Sequence, residues 1–313
     1  MPTSTTYYLN GPTLGSSTTI FSNSSLTTIA PNGFYSDGVT SRQQVGGVLL
    51  PPSTCNSCGT PCGVPITATG SSGIYLINLD AGSTSSDIGA IILRFNPASV
   101  PDGIRVTYNG NIYNALTCPL DGFHQSTNPN GFTIVGLVTG TATCSSWYPS
   151  GATLSLNEFL YNGTSFNPTG DTQSITISTG DISLSPGPTQ TGNCMLVIPK
   201  TSAGPNIVNI ELLGPCTSTF WVINTSCPTL LTGFSSSSVT PSIECFNDLT
   251  ETYYNASLAN TPGTVGLYDF VYSDAFGANP LAAGFYRATG SIAGGGDYFE
   301  VDANGVVISI GSC

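Results

Sequence analysis

Cys55, Cys58 and Cys62 in CNSCGTPC have the spacing C-x2-C-x3-C, which can supply three thiolates to a tetrahedral zinc ion, with a fourth ligand from Cys118 or another segment. A strong zinc signature has a second spaced pair, and this chain has none. Its single histidine, His124 in DGFHQ, has no partner motif. With Cys118, Cys144, Cys194, Cys216, Cys227, Cys245 and Cys313 the cysteine count reaches ten. An even number scattered through loop-like sequence points to structural disulfides formed in an oxidising medium. All ten are therefore disulfide candidates, and no metal or other cofactor is expected. Chain connectivity stays open, with Cys118 to Cys144 and Cys227 to Cys245 as the most local closures.

Nucleophilic catalysis needs a base beside a Ser or Cys, and His124 is the only histidine able to serve. No G-x-S-x-G elbow accompanies it, so it reads as a polar loop residue. Glycoside hydrolysis needs two carboxylates, and the chain has 17. Most stand in turn contexts such as PDG at 101–103, TGD at 179–181 and DANG at 302–305, where Asp bonds its own backbone. Asp297, Glu300, Asp302 and Asn304 in DYFEVDANG do not match a calcium loop; they read as a strand entering an Asn-Gly hairpin turn. Asp80 and Asp87, flanking a Gly-Ser loop, are no stronger. The chain is expected not to be an enzyme, with a polysaccharide depolymerase as one alternative.

Arg94 and Arg105 stand on adjacent expected strands and are candidate contacts for an acidic glycan; pairing with Asp87 or Asp102 is the simpler reading. Trp147 and Tyr148 are the other candidate ligand contacts, because exposed rings stack on sugars. Phe220, Trp221 and the Tyr-Tyr pairs at 7–8 and 253–254 read chiefly as core.

These residues sit in an unusual background. Charged residues make up 7% of the chain, against about 25% in ordinary globular proteins. A neutral Ser/Thr/Asn/Gly surface can be buried between subunits without stripping water from many ions, which favours assembly into a homo-oligomer. The net charge of −12 sets 17 carboxylates against Arg42, Arg94, Arg105, Lys200 and Arg287. Without a basic cluster there is no means of neutralising several phosphates, so nucleic-acid binding is excluded. No window of 18 apolar residues offers a membrane-inserting helix. The opening MPTSTTYYLNGP lacks the basic and apolar regions of a signal peptide. Either a leader has been removed or the chain leaves its cell by a route that needs none, as a particle released by lysis would.

Three segments organise the chain: 1–63, 64–227 and 228–313. The middle one holds eight β-branched or aromatic runs separated by Gly, Pro, Asn and Asp turns: 74–79, 90–95, 104–110, 132–138, 174–178, 195–199, 207–213 and 220–225. That pattern predicts an all-β fold, with a jelly-roll-like central β-sandwich flanked by two small related β-modules. The flanking modules are linked by internal repetition. FSNSSLTTIAPNGFY at 21–35 and YSDAFGANPLAAGFY at 272–286 have equal length, and each follows a Thr-Tyr-Tyr, at 6–8 and 252–254. Cysteines mark both joints, CNSCGTPC and CPTLLTGFSSSSVTPSIEC, where a cross-link would stiffen the junction.

AIILRFNPASVPDGIRVTYNG at 90–110 resembles a recurrent β-sandwich module of phage and bacterial surface proteins. The resemblance implies a hairpin built on Val100, Pro101, Asp102, Val106, Tyr108 and Gly110, with Asp102 bonding the backbone after it and Gly103 free to take a positive φ. With the TTYYLNGPTLGSSTTIFSN opening and the terminal repeat, the chain resembles virion structural proteins of tailed phages of Bacteroidetes, the crAss-like phages among them. That resemblance implies a non-enzymatic tail-fibre, head-fibre or decoration subunit at the virion surface or outside the cell, partnered by copies of itself and other virion or filament subunits. Assembly is expected through the end modules and adhesion to a host-surface glycan through the sandwich. A secreted bacterial adhesin or surface-filament subunit is the alternative. No functional residues come with the resemblance.

Overall fold

The computed structural model describes residues 6–36, 40–51, 53–54, 59–98, 102–118, 124–127, 131–136, 153–176, 194–215, 219–239, 248–259, 261–288 and 290–312. Among these there is no helix. The N-terminal module contains β1 (Tyr8–Leu9), β2 (Ile20–Phe21), β3 (Gly33–Ser36), β4 (Thr40–Val45), β5 (Val48–Leu49) and β6 (Ser53–Thr54). The central region runs through β7 (Thr60–Pro61), β8 (Ile66–Gly70), β9 (Gly73–Asp80), β10 (Gly89–Asn96), β11 (Asp102–Tyr108), β12 (Asn111–Tyr113), β13 (His124–Thr127) and β14 (Thr133–Gly136). It continues through β15 (Thr153–Tyr161), β16 (Phe166–Thr176), β17 (Cys194–Lys200), β18 (Ile207–Gly214) and β19 (Thr219–Thr225). The C-terminal module adds β20 (Thr232–Val239), β21 (Glu251–Ala256), β22 (Phe270–Tyr272), β23 (Gly284–Arg287), β24 (Tyr298–Val301) and β25 (Val307–Gly311).

The centre is a sandwich. A four-stranded sheet in the order β17-β10-β19-β8 packs against a larger one in the order β13-β14-β11-β18-β9-β15-β16, with β12 on β11 and β7 on β9. Period-2 alternation sends Ile91, Leu93, Phe95, Leu196, Ile198, Trp221 and Ile223 from the first sheet into Tyr75, Ile77, Leu79, Ile104, Val106, Val208 and Ile210 from the second. All eight expected strands are present within the described residues. Thr60–Pro61, on the N-terminal side of the 63/64 boundary, pair in parallel with β9 and so belong to the central sheet.

The expected Val-Pro-Asp hairpin does not form. β10 lies in the four-stranded sheet and β11 in the larger one, so the connection is an arch between the layers. Asp102 and Gly103 are strand residues paired with Val135 and Ile134. Val100 and Pro101 fall outside the described residues. Gly103 lacks a positive φ; its missing side chain instead makes room for Leu213, whose Cβ would lie 3.1 Å from an added Cβ.

The cross-links also differ from the local closures. Cys62 bonds Cys227 across 165 residues, and Cys118 bonds Cys194 across 76. The first ties the start of the sandwich to its end, so it links one joint to the other. Closing so long a loop removes much of the unfolded chain's freedom, which is the principal way such a bond stabilises.

The two end modules share a geometry that their few identities only suggest. In the first, Tyr8 pairs with Phe21, and Phe21 bridges Ile29; in the second, Tyr254 pairs with Tyr272, and Tyr272 bridges Pro280. Ser22 N–H donates to Thr28 O at 2.9 Å, and Ser273 N–H to Asn279 O at 3.0 Å. Asn23 and Asp274 each cap the intervening turn by accepting backbone N–H groups from within it. Leu26 and Gly277 occupy the same left-handed position, at φ 57° and 72°. The Tyr35 and Tyr286 hydroxyls each donate to the carbonyl four residues back, at Pro31 and Ala282. Edge-on ring pairs Tyr7–Tyr35 and Tyr253–Tyr286 complete the match.

Candidate functional site

Of the four candidate contact residues, Arg94 and Arg105 are engaged within the fold, and Arg94 also lines a groove with Thr229, Leu230 and Asn255. Arg105 forms a bidentate pair with Glu211, at 2.6 and 2.8 Å, and lies 4.3 Å over the ring of Phe132. Its expected partners were aspartates close in sequence. Glu211 prevails because antiparallel pairing of β11 with β18 places the two side chains directly opposite each other. Arg94 Nη2 donates to Ser257 O at 2.7 Å, so it anchors the C-terminal module to the sandwich rather than pairing with Asp87 or Asp102. Trp147 and Tyr148 lie outside the described residues, as do Cys55, Cys58, Cys144, Cys216, Cys245 and Cys313. Cys62 and Cys118, drawn on for a zinc set, are both in disulfides and offer no thiolate. His124 opens β13 and is not in a loop.

The acidic clusters are occupied by turns. Asp302 Oδ1 accepts N–H groups from Asn304 and Val306, and Glu300 Oε2 accepts the Ser309 hydroxyl, so DYFEVDANG forms the β24–β25 hairpin. Asp87 Oδ2 accepts both the N–H and the hydroxyl of Thr84, which lowers its pKa. Among the described residues no three His, Cys, Asp or Glu side chains gather as a metal set.

Asp102 is the most perturbed carboxyl. It is fully buried, accepts the Thr219 hydroxyl on one oxygen and has no partner on the other. Burial raises its pKa well above the usual carboxylate range, against the pull of the Thr219 bond. Tyr75 nearby is pushed up to about 12, first by its own burial and then by Asp102. The group is buried within the sandwich, so its perturbation acts on stability.

Two surface features bear on function. The first is a pair of adjoining grooves where the C-terminal module meets the sandwich. One has a volume of about 470 Å³ and is lined by Asn114, Leu116, Tyr268, Asp302 and Asn304. The other has about 210 Å³ and is lined by Tyr113, Pro199 and Tyr272. Asp302, already capping its turn, is the one carboxylate lining either groove among the described residues, where glycoside hydrolysis uses two.

The second is the N-terminal module. Among the described residues, thirteen large apolar side chains are exposed, and seven of them lie in the first 54 residues: Tyr7, Tyr8, Leu26, Ile29, Val45, Val48 and Leu50. That stretch carries only two charged residues, Asp37 and Arg42, and the Arg42 side chain is buried. The sequence signal for this surface was a charge-free run, visible but silent about which side chains face out.

The disulfides identify a protein of an oxidising, extracellular environment. Compared with protein-family models, curated proteins and solved structures, the chain matches none of them.

Proposed function

We propose that this chain is a non-enzymatic structural subunit of an extracellular assembly, a fibre or decoration subunit of a virion surface, which associates with copies of itself through its N-terminal module. The observation that carries the reading is the concentration of exposed apolar side chains on a module with almost no charge. Contact surfaces between subunits are depleted in charge and enriched in aromatic residues at their cores, whereas the surface of a free-standing domain is interspersed with ions. The disulfide between the two joints supports the same reading, since it fixes the sandwich as one stiff body between the end modules.

Mass measurement of the disulfide-intact chain by light scattering, with negative-stain microscopy of the same sample, tests the proposal. Discrete multimers at micromolar concentration are expected. A strictly monomeric particle across the accessible concentration range defeats it.

A further inference from the structure

The two related modules differ in what covers the same face. Along β22, Val271 turns inward to the module core while Phe270 and Tyr272 turn outward. Those outward residues, with Ala256 and Leu231, pack on Ala90, Met195 and Val197 of the four-stranded sheet. Along β2 the pattern repeats: Ile20 turns inward, and Thr19 and Phe21 turn outward. Register pairing puts Tyr8 and Phe21 in one row with the bridged Ile29, equivalent to Tyr254, Tyr272 and Pro280. In the C-terminal module Tyr272 is buried and Tyr254 half-buried against the sandwich, while Pro280 is exposed. In the N-terminal module Tyr8 is 36% and Ile29 53% exposed.

The difference at one position rules out a second sandwich edge as the cover. A Cβ added at Gly277 would stand 2.9 Å from Val197 Cγ1 and 3.5 Å from Ala90 Cβ, so docking of this kind requires glycine. The N-terminal module has Leu26 there, held at φ 57° with its side chain 39% exposed. A leucine kept in a left-handed conformation that favours glycine, and displayed to solvent, is a knob for some other surface.

Charge selects that surface. Two copies at −12 each repel one another except across faces without carboxylates. Residues 1–54 carry one negative and one positive charge and sum to zero. The patch is also continuous: an added Cβ at Gly47 would lie 3.0 Å from Ile29 Cδ1, which joins the row to the exposed Val48 that opens β5.

We infer that this face of the N-terminal module, Tyr8, Phe21, Leu26, Ile29 and Val48, is a homotypic contact that seats the same face of a second copy of the chain. The inference rests on the assembly reading above and narrows it to one surface. The C-terminal module, whose equivalent Tyr254, Tyr272 and Gly277 already lie against the sandwich, takes no part in this contact.

The test uses two full-length variants, Ile29→Glu and Ile29→Lys, and reads the association constant by sedimentation. Because Ile29 is exposed, both variants fold, and unchanged melting of each confirms it. Each is expected to associate at least tenfold more weakly than the parent chain, the scale of an interface anchor. Mixing the two is expected to restore association, because opposite charges meet at one position only if like faces meet. Variants that assemble as the parent does overturn this inference and leave the assembly reading standing. Weakened variants that do not recover on mixing overturn the homotypic contact. A monomeric parent chain overturns both.

Discussion

The two end modules reach one geometry by different chemistry. In the C-terminal module β20 pairs with both β21 and β23 and joins two hairpins into a six-stranded sheet, order β22-β21-β20-β23-β24-β25. Beneath it Phe299 packs with Phe234, Val271, Tyr286 and Val307 in an apolar core. The N-terminal module has separate sheets, β1-β2 and β3-β4-β5 with β6 on β4, and no counterpart of β20 among the described residues. Where Phe299 lies opposite Tyr286, Arg42 lies opposite Tyr35. Its buried guanidinium donates to the carbonyls of Leu14, Gly15, Ser17, Leu49 and Leu50. Gln44, opposite Gly33, bonds Ile20 N–H, Ile20 O and Ala30 O with its side-chain amide. Two polar side chains thus do by hydrogen bonding what a strand and an apolar core do in the other module. A unit whose apolar core is as small as Leu14, Ile20, Ala30 and Leu49 can be closed in this way.

The largest predicted effect breaks that equivalence. Phe299→Ala leaves a cavity and is expected to cost the C-terminal module about 3–5 kcal/mol. Arg42→Ala strips the shared donor from five carbonyls and is expected to cost the N-terminal module a similar amount, about 3–5 kcal/mol, as loss of a buried charged partner does. The discriminating variant is Arg42→Phe, which installs the other module's residue. It fails as badly as Arg42→Ala, because a phenyl ring donates nothing. Amide exchange of Ile20, Ala30 and Leu49 reports on the first module, and that of Val271, Leu281 and Val307 on the second; these six N–H groups are all hydrogen-bonded. Retained protection at Ile20 and Leu49 in Arg42→Phe would sink the idea that Arg42 replaces a core.

A second difference is titratable. Leu49 N–H donates to Thr18 O in one module, and Val307 N–H to Asp269 O in the other, so Thr18 and Asp269 are equivalent positions. Burial raises the Asp269 carboxyl from 3.8 to about 6, against hydrogen bonds from Leu258, Gly266 and Asn255 that lower it. A carboxyl whose folded pKa lies above its unfolded one favours the fold most when protonated. The stabilisation is therefore complete below about pH 4 and is lost as pH rises through about 6. The loss is on the order of 2–3 kcal/mol for the C-terminal module. Protection of Val307, corrected for intrinsic exchange, should fall between pH 4 and pH 7 while that of Leu49 stays level. Equal pH profiles at the two amides would contradict the assignment.

Local pattern made the strands legible, and long-range closure hid the rest. The runs of the sandwich carried either a period-2 alternation, as in ITATG of β8, or a short continuous apolar stretch, as in MLVIP of β17. The Val-Pro-Asp segment misled because the turn chemistry of a hairpin and of an arch is the same. Only burial tells them apart, with Phe95 and Asp102 both enclosed by two layers. FNPTGDTQ in β16 reads as a loop because it is polar and contains Pro168 and Gly170. It is a strand because it lies at the sheet edge on β15, where Pro need not donate. The disulfide partners were hidden for a reason of distance: a local closure is the cheapest guess from sequence, while the fold brings Cys62 and Cys227 together from 165 residues apart. The repeat was readable from spacing; that one copy's outer face is covered and the other's exposed was not, because Gly277 and Leu26 acquire meaning only against Val197.

The smallest predicted effect lies in what the modules share. Tyr35 and Tyr286 each tie their hydroxyl to the carbonyl four residues back, so a Phe at either position keeps the ring pair with Tyr7 or Tyr253 and deletes one hydrogen bond. The two deletions should not be equal. Both acceptor residues are exposed, but Tyr286 is buried and its hydrogen bond partly so, whereas Tyr35 is half-buried and its hydrogen bond is exposed. Tyr286→Phe is expected to cost about 1 kcal/mol, near the mean for an intramolecular hydrogen bond, and Tyr35→Phe about half as much. Exchange at Leu281 and Ala30 separates the two, since each amide closes the turn beneath its tyrosine. If Tyr35→Phe proved the costlier change, the N-terminal face would already be shielded from water, and its Pro31 edge would be part of the contact between copies.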